Sequence, residues 1–350
     1  MKSIHLKKIV LVIIGILLIS IIGMFIAYNN VVKSPLKTDS DKITIEVNEG
    51  EGFYNLLDRL NSEGVIKNET LIKVNLKLTN QDLKIIPGSY EVESDVTLKE
   101  LIKMLTTEDF LKNQVKVTIK EGYTIDTIAD VIAESGICTR DEFINEIKNY
   151  PLPDYVKADS NKKYNLEGYL FPDTYFFDKN FDAKSMIKVM LDNFDKKLSK
   201  LEKETGKKIN KDEIESIIIK ASLVEKEARL DEERPMIASV INNRISKGMK
   251  LEFCSTVNYV IGYEGNEILS YNDLKVESPY NTYKNAGLPV GAVGSPGYNS
   301  IKAVLEPADT DYLYFVLLYG ENGKHHFSTN YEEHERVNAE QNKKRGSASN

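Results

Sequence analysis

The triplet Glu225-Lys226-Glu227 closes the apolar stretch Ile217-Ile218-Ile219-Lys220-Ala221-Ser222-Leu223-Val224. A carboxyl at the rim of an apolar core keeps its proton more firmly than one in water, because desolvation penalises the charged form. Such a group can donate a proton and then take one back. Ile214, Ile217, Ile218, Ala221, Val224 and Ala228 recur at i, i+3, i+4 and i+7, which predicts a helix with one buried face. At about 100° per residue, Glu225 falls some 40° from Ala221, beside that face, and Glu227 roughly 120° away on its flank. Periodicity alone therefore selects Glu225 as the desolvated acid. The competing reading is an ordinary solvated carboxylate near a helix end.

Other stretches carry groups suited to a sugar polymer. Leu166-Glu167-Gly168-Tyr169-Leu170-Phe171-Pro172-Asp173-Thr174-Tyr175-Phe176-Phe177 is dense in aromatics and carboxylates. A pyranose presents an apolar face and a rim of hydroxyls, which such side chains match. Leu170, Phe171 and Phe177 are expected in the core, while Glu167, Tyr169, Asp173 and Tyr175 are placed at the groove edge or in the core with equal weight. Asn242, Asn243 and Arg244 are expected on the outer or groove side of the next helix, as hydrogen-bond donors. The Gly- and Pro-rich run 278–297 reads as an irregular, position-fixed loop, with Asn281 and Tyr283 as its substrate contacts.

Several function classes are excluded. A net charge of -7 and a pI near 5.4 disfavour a nucleic-acid partner, which needs a basic surface. His5, His325, His326 and His334 form no HExxH or similar pattern, so no metal and no cofactor are expected, and the His325-His326 pair reads as structural. Cys138 and Cys254 are far apart and read as free thiols rather than a disulfide.

The elements that must position these groups begin with an uncharged run, Ile9 to Tyr28, preceded by Lys2, Lys7 and Lys8. About 20 apolar residues span a bilayer, and the lysines predict a cytoplasmic N-terminus. The end Ala27-Tyr28-Asn29-Asn30 is a poor cleavage site, so an uncleaved anchor is favoured over a signal peptide. Residues 29–41 read as a polar tether. Next comes an internal repeat. Ile43–Val47, Gly50, the helix face Phe53, Leu56, Leu57 and Leu60, Gly64 and Ile72 recur without a gap as Val115–Ile119, Gly122, Ile125, Ile128, Ala129 and Ile132, Gly136 and Ile144. Each copy reads strand, turn, helix, helix, and resembles half of a LysM-type sugar-binding module. Glycan-binding and purely structural roles are equally weighted. Between the copies, Thr97 and Glu100 form a capping box before a short helix. The C-terminal part reads as a short helix 300–305, a buried strand 312–318, a second strand at His325-His326-Phe327 and a frayed end from Lys343.

The chain resembles the endolytic murein transglycosylase family, also called MltG or YceG-like. The match is carried, in order, by LEGYLFPDTY (166–175), ASLVEKEA (221–228), ASVINNRISKGMKL (238–251), SPYNTYKNAGLPVGAVGSPG (278–297), YLYFV (312–316) and HHFSTNYEEH (325–334). The resemblance implies that Glu227, the second Glu of the triplet, is catalytic. Periodicity tells which side of a helix faces the core, not which side faces a groove, so Glu227 is preferred over Glu225. Glu225 is then a substrate-binding or packing carboxylate. One departure concerns the stretch after Gly248-Met249-Lys250-Leu251. The family pattern carries Thr-Asp-Pro-Thr-Val there, whereas this chain has Phe253-Cys254-Ser255-Thr256-Val257. The absent aspartate argues against a catalytic role for that loop and favours a one-carboxylate mechanism.

The resulting expectation is an α+β protein: residues 1–8 cytoplasmic, 9–28 transmembrane, 29–41 linker, 42–112 a LysM-like module, 113–342 a catalytic domain with a second βαα unit at 115–150, and 343–350 a frayed tail. The implied partners are peptidoglycan glycan strands outside a bacterial cell membrane, and peptidoglycan synthases. Two other readings stand beside it: a non-catalytic membrane-anchored peptidoglycan-binding scaffold, and a two-carboxylate muramidase.

Overall fold

A computed structural model describes residues 2–38, 40–79, 83–108, 112–263 and 269–348, with side chains from residue 13 to residue 345. The fold is mixed α and β, with three separate two-stranded sheets among the described residues. It divides into two compact units, Met1–Lys116 with Tyr175–Lys179, and Val117–Thr174 with Asn180–Asn350.

The first unit opens with helix α1 (Lys2–Lys33). Its Ile13–Lys33 segment, with mean hydropathy 2.0, is long and apolar enough to cross a membrane. Strand β1 (Lys42–Val47) follows, then α2 (Phe53–Ser62), α3 (Glu69–Thr79), β2 (Gly88–Glu93) and α4 (Leu98–Thr106). β1 and β2 pair antiparallel, Ile43 opposite Val92 and Ile45 opposite Tyr90. The inward residues Ile45, Val47, Tyr90 and Val92 bury against Phe53, Leu56, Leu57 and Leu60 of α2 and Leu98, Leu101 and Leu105 of α4. Thr97 caps α4 as a full capping box with Glu100.

Residues 29–38 are not a tether. α1 continues to Lys33, and Val31 and Leu36 belong to the module's core. Leu36 makes an antiparallel bridge to Ile66, and Lys37 N–H donates to the Val65 carbonyl at 2.7 Å. The segment is polar in composition, but its apolar residues Val31, Val32 and Leu36 fall where they can pack on the core, and burial outweighs chain freedom there.

The repeat is written in the backbone. β3 (Gln114–Thr118), α5 (Ile125–Glu134) and α6 (Arg140–Asn149) follow the order and spacing of β1, α2 and α3. Gly50 and Gly122 have φ of 75° and 78°, and Gly64 and Gly136 of 75° and 76°, a region that L side chains rarely occupy. Ile125, Ile128, Ala129 and Ile132 are buried like their counterparts in α2. β3 pairs with β4 (Thr174–Asp178).

In the second unit, α7 (Ala183–Thr205) starts at the N-cap Asp182, whose carboxylate accepts from Ser185 N–H at 2.8 Å, and ends at Gly206. Then come α8 (Lys211–Glu227), α9 (Arg234–Ser246), α10 (Cys254–Ile261) and α11 (Tyr298–Leu305). β5 (Tyr314–Leu317) and β6 (His325–Ser328) pair antiparallel and precede α12 (Tyr331–Ala348). β5 is half-buried along its length rather than fully buried. α12 stays helical through Ala348, so the fraying expected from Lys343 does not occur before that residue.

The packing of residues 29–38 has a measurable consequence. Leu36→Ala should lower the opening free energy of the α2 and α3 amides by about 2–4 kcal/mol in hydrogen exchange, as for other buried leucines. A chain lacking residues 1–38 should lose the same protection, whereas one lacking only residues 1–26 should keep it. Unchanged exchange in both would show that the segment is a tether after all.

Candidate active site

The site forms where α8 ends. α8 packs against α9, α10 and α11. From Ile218 onward, Ile218, Ile219, Ala221, Ser222, Leu223 and Val224 are all buried, so its last turns are enclosed on nearly every side. Carboxylates are tolerated only as the helix leaves the core. The helix stops at Glu227, and Ala228 has already turned to extended backbone.

The two glutamates meet opposite environments. Glu225 Oε1 accepts from Arg234 Nη1 at 3.1 Å, its Oε2 accepts from Gly297 N–H at 2.9 Å, and its side chain is only 7% exposed. Arg234 also donates to Asp231 at 2.8 Å and to Ser300. Glu225 therefore ties α8 to α9 and to the start of α11. A Cβ at Gly297 would lie 1.8 Å from Glu121 Oε1, so a side chain there requires the Glu121 side chain to move. Burial, reinforced by Glu225, raises the pKa of Glu121.

Glu227 is half-buried, and Ser255 Oγ donates to its Oε1 at 2.7 Å. Burial raises its pKa above the ordinary glutamate value, against the opposing pull of the Ser255 hydroxyl and of His325. Ser255 stands in the first turn of α10, which places its hydroxyl and the neighbouring Cys254 at the end of α8. Cys254 Sγ lies 3.1 Å from Tyr283 Oη. Both groups are raised mainly by burial, and both feel the charge of Glu227. His325 is buried, with Nδ1 2.7 Å from Glu233 Oε2, and its backbone N–H donates to Glu233 Oε1 at 2.8 Å. The groups that bear on Glu227 are thus the Ser255 and Tyr283 hydroxyls, the Cys254 thiol and the His325 imidazole, with Glu233 one step further out against His325 and Glu252 against Tyr283.

Of the residues expected at a groove, Glu227 and Tyr283 come together. Asn281 sits directly behind them. It is fully buried, its Nδ2 donates to the carbonyls of Leu274 and Val276 at 3.0 and 2.8 Å, and its Oδ1 accepts from Tyr283 N–H at 2.9 Å. It shapes the loop that carries Tyr283 and has no surface to offer a ligand. Tyr169 is also in the core, its ring 5.9 Å from Tyr155 and 5.5 Å from Phe194. It lines a separate small cavity of about 10 Å³ with Lys162, Glu167 and Glu215, and Glu227 is not part of its lining. Asp173 accepts from Lys197 and Asn193 of α7, both at 3.0 Å.

Glu167 is no groove residue either. It is buried, accepts from Ile125 N–H at 3.0 Å and Tyr259 Oη at 2.8 Å, and so clamps the start of α5 to α10. Asn243 donates to the carbonyls of Thr310 and Tyr312, and Arg244 to those of Leu313 and Leu251. They staple the strand region rather than face a ligand, since each donor is taken up by a backbone carbonyl.

Ser255 and His325 escaped sequence reasoning. Ser255 follows a Gly-Met-x-Leu turn and precedes Thr256, an unremarkable helix start, and its distance from Glu227 in the chain carries no period. The adjacent-histidine pattern of 325–326 was visible, but not that Glu233 would bury one ring beside the site.

The YceG-like family model matches residues 45–340. The chain belongs to that family. A Bacillus subtilis (strain 168) relative named endolytic murein transglycosylase is 33% identical over 332 residues, covering 91% of this chain and 90% of that protein. A Streptococcus pneumoniae (strain R6) relative of the same name is 32% identical over 365 residues and covers 96% of this chain, which spans 65% of that relative's length. The crystal structure of a yceG-like protein from Listeria monocytogenes matches with a TM-score of 0.57 at 32% identity, over 85% of this chain and 100% of that one. Family membership thus takes in both units, including the site residues Glu227, Ser255, Tyr283 and His325.

The clamp formed by Glu167 predicts a pH signature. Burial pushes its pKa up to about 7 from the usual 4.5. A carboxyl with a raised folded-state pKa favours folding below its unfolded value and loses that advantage as pH rises through the folded one. Wild type should therefore lose about 3 kcal/mol from this group between about pH 4.5 and pH 7.5. Glu167→Gln should flatten the pH dependence of Tm over that interval. An equally steep profile in the variant would assign the dependence to other groups.

Proposed function

We propose that this protein is an endolytic lytic transglycosylase acting on peptidoglycan glycan strands, with Glu227 as its proton-transfer residue. The observation that carries this reading is a half-buried carboxyl, raised in pKa by burial and placed among hydroxyl, thiol and imidazole groups. The names borne by the Bacillus and Streptococcus relatives support the same substrate class.

In the proposed reaction, protonated Glu227 donates to the oxygen linking N-acetylmuramic acid to N-acetylglucosamine as the C1–O bond breaks. The carboxylate then accepts the proton of the muramic acid 6-hydroxyl, whose oxygen bonds to C1. The product is a 1,6-anhydro end, and Glu227 recovers its proton. No water enters, so the second carboxylate of an inverting or retaining hydrolase has no task. The raised pKa suits the first half and the Ser255 hydroxyl the second, since it stabilises the charged form. Tyr283 is proposed as a substrate contact. The apolar helix is proposed to hold the protein in the membrane, N-terminus cytoplasmic and catalytic unit outside, next to emerging strands and their synthases. The repeated strand-helix-helix plan is proposed to be a LysM-like, glycan-facing module.

The test uses the full chain in detergent and purified glycan strands, with products read by mass spectrometry. Anhydro ends are expected, and Glu227→Gln should reduce their formation by at least about 100-fold, the usual contribution of a general acid–base. Reducing ends would indicate a hydrolase. No product from wild type, or undiminished activity in Glu227→Gln, would leave a glycan-binding scaffold as the reading.

A second prediction concerns pH. The acid form of Glu227 is active in the first step, so activity should fall as pH rises through its pKa. Ser255→Ala removes a hydrogen bond that favours the carboxylate. The alkaline limb of the rate should therefore move to higher pH, and a limb that moves down or stays fixed would detach Ser255 from Glu227's ionisation.

A further inference from the structure

The end of α1 with the residues after it, and α3 with the residues before it, contact each other in antiparallel order. Leu36 bridges Ile66, Ser34 Oγ accepts from Lys67 Nζ at 2.9 Å, and Tyr28 Oη accepts from Asn75 Nδ2 at 2.7 Å. Positions rise along α3 as they fall along α1. One more turn of α3 therefore brings Leu78 level with Met24 and Phe25, inside the apolar segment of α1. Leu78 is 73% exposed, and Met24 and Phe25 are 68% and 64% exposed. Val74, one turn earlier on the same stripe, is 41% exposed, and Thr70, one turn earlier again, is exposed and polar. The stripe thus grows more apolar toward the level of the anchor. Its inner neighbours Ile72 and Leu76 are buried in the module, so Val74 and Leu78 are not spare core residues. Lys77 is exposed at the same end, where an ammonium can reach lipid phosphates while its stem lies along apolar surface.

We propose that the last turn of α3, through Leu78 and Val74, is a membrane-contact surface that seats the module in the head-group layer of the bilayer crossed by α1. The proposal rests on the anchor reading of α1. Lipid is the occupant because the exposed patch is continuous with the apolar band of a membrane-length helix, and because an exposed leucine beside a lysine is the chemistry of an interfacial helix. The consequence is geometric: the first unit does not swing on a leash but stands on the membrane at two points, α1 and the end of α3.

The chain contains no tryptophan, so single-tryptophan variants report depth without background. Full-length Phe25→Trp, Leu78→Trp, Val74→Trp and Thr70→Trp are reconstituted in phosphatidylglycerol–phosphatidylethanolamine vesicles with brominated acyl chains. Four residues of helix rise about 6 Å, so quenching should be graded. Phe25→Trp and Leu78→Trp should each lose roughly half or more of their emission, Val74→Trp less, and Thr70→Trp almost none. Quenching of Phe25→Trp with none at Leu78→Trp would overturn the contact while leaving the anchor intact. So would a Leu78→Trp shielded from aqueous iodide yet unquenched by lipid, which would mean a protein partner. An unquenched Phe25→Trp would overturn the anchor and the contact together.

Discussion

The structure depends on where α8 leaves the core. Its last turns are enclosed by apolar neighbours, and an ionised group inside such a helix has no water to replace. The acidic side chains of α8 therefore fall only before Ile217 and after Val224. Glu225, two residues before the end, is neutralised by Arg234 and a backbone N–H. Glu227, at the last helical position, lies beyond that guanidinium and meets Ser255 instead. A two-residue step, about 200° around the helix axis, separates a carboxylate paired with a guanidinium from one that meets a hydroxyl.

Much of the second unit serves that exit. The turn of the second βαα copy pairs with the loop after the catalytic run: Gly122 N–H donates to the Ser295 carbonyl at 2.7 Å, and Ser295 N–H to that of Tyr123 at 2.8 Å. A Cβ on Gly294 would meet the Gly122 carbonyl oxygen at 2.6 Å. The loop is thereby pressed against the repeat, and Glu225 holds its far end through Gly297. Glu167 fixes the helix of the same copy to α10, the element that delivers Ser255 and Cys254. The same local plan is thus used twice, once around a core shared with the apolar helix α1 and once beside the end of α8.

How far the sequence reached follows from the range of the forces involved. The anchor, the doubled strand-helix-helix plan, its four turn glycines and the capping boxes are set by neighbours a few residues apart, and they were legible as runs, spacings and caps. Fold class and family could be read in the same way, from motifs in order. Composition misled at residues 29–38, since Val31, Val32 and Leu36 in a polar stretch carry the packing that composition averages away. It left Tyr169 and Glu167 open between groove and core and misled at Asn281, because an aromatic or polar residue in a loop looks alike whether it faces solvent or fills the core.

The sequence by itself determined that a helix would end in Glu-Lys-Glu at the rim of an apolar core, and that this helix would belong to a chain with a membrane-length leader. Only tertiary structure decided which glutamate is ion-paired and which meets a hydroxyl in a buried setting. Arg234, Gly297, Ser255 and His325 lie between 9 and 98 positions from the residues they act on. Periodicity is a property of one helix, and the electrostatic environment of a side chain is a property of everything packed around it. Glu225 and Glu227 share the first and differ entirely in the second.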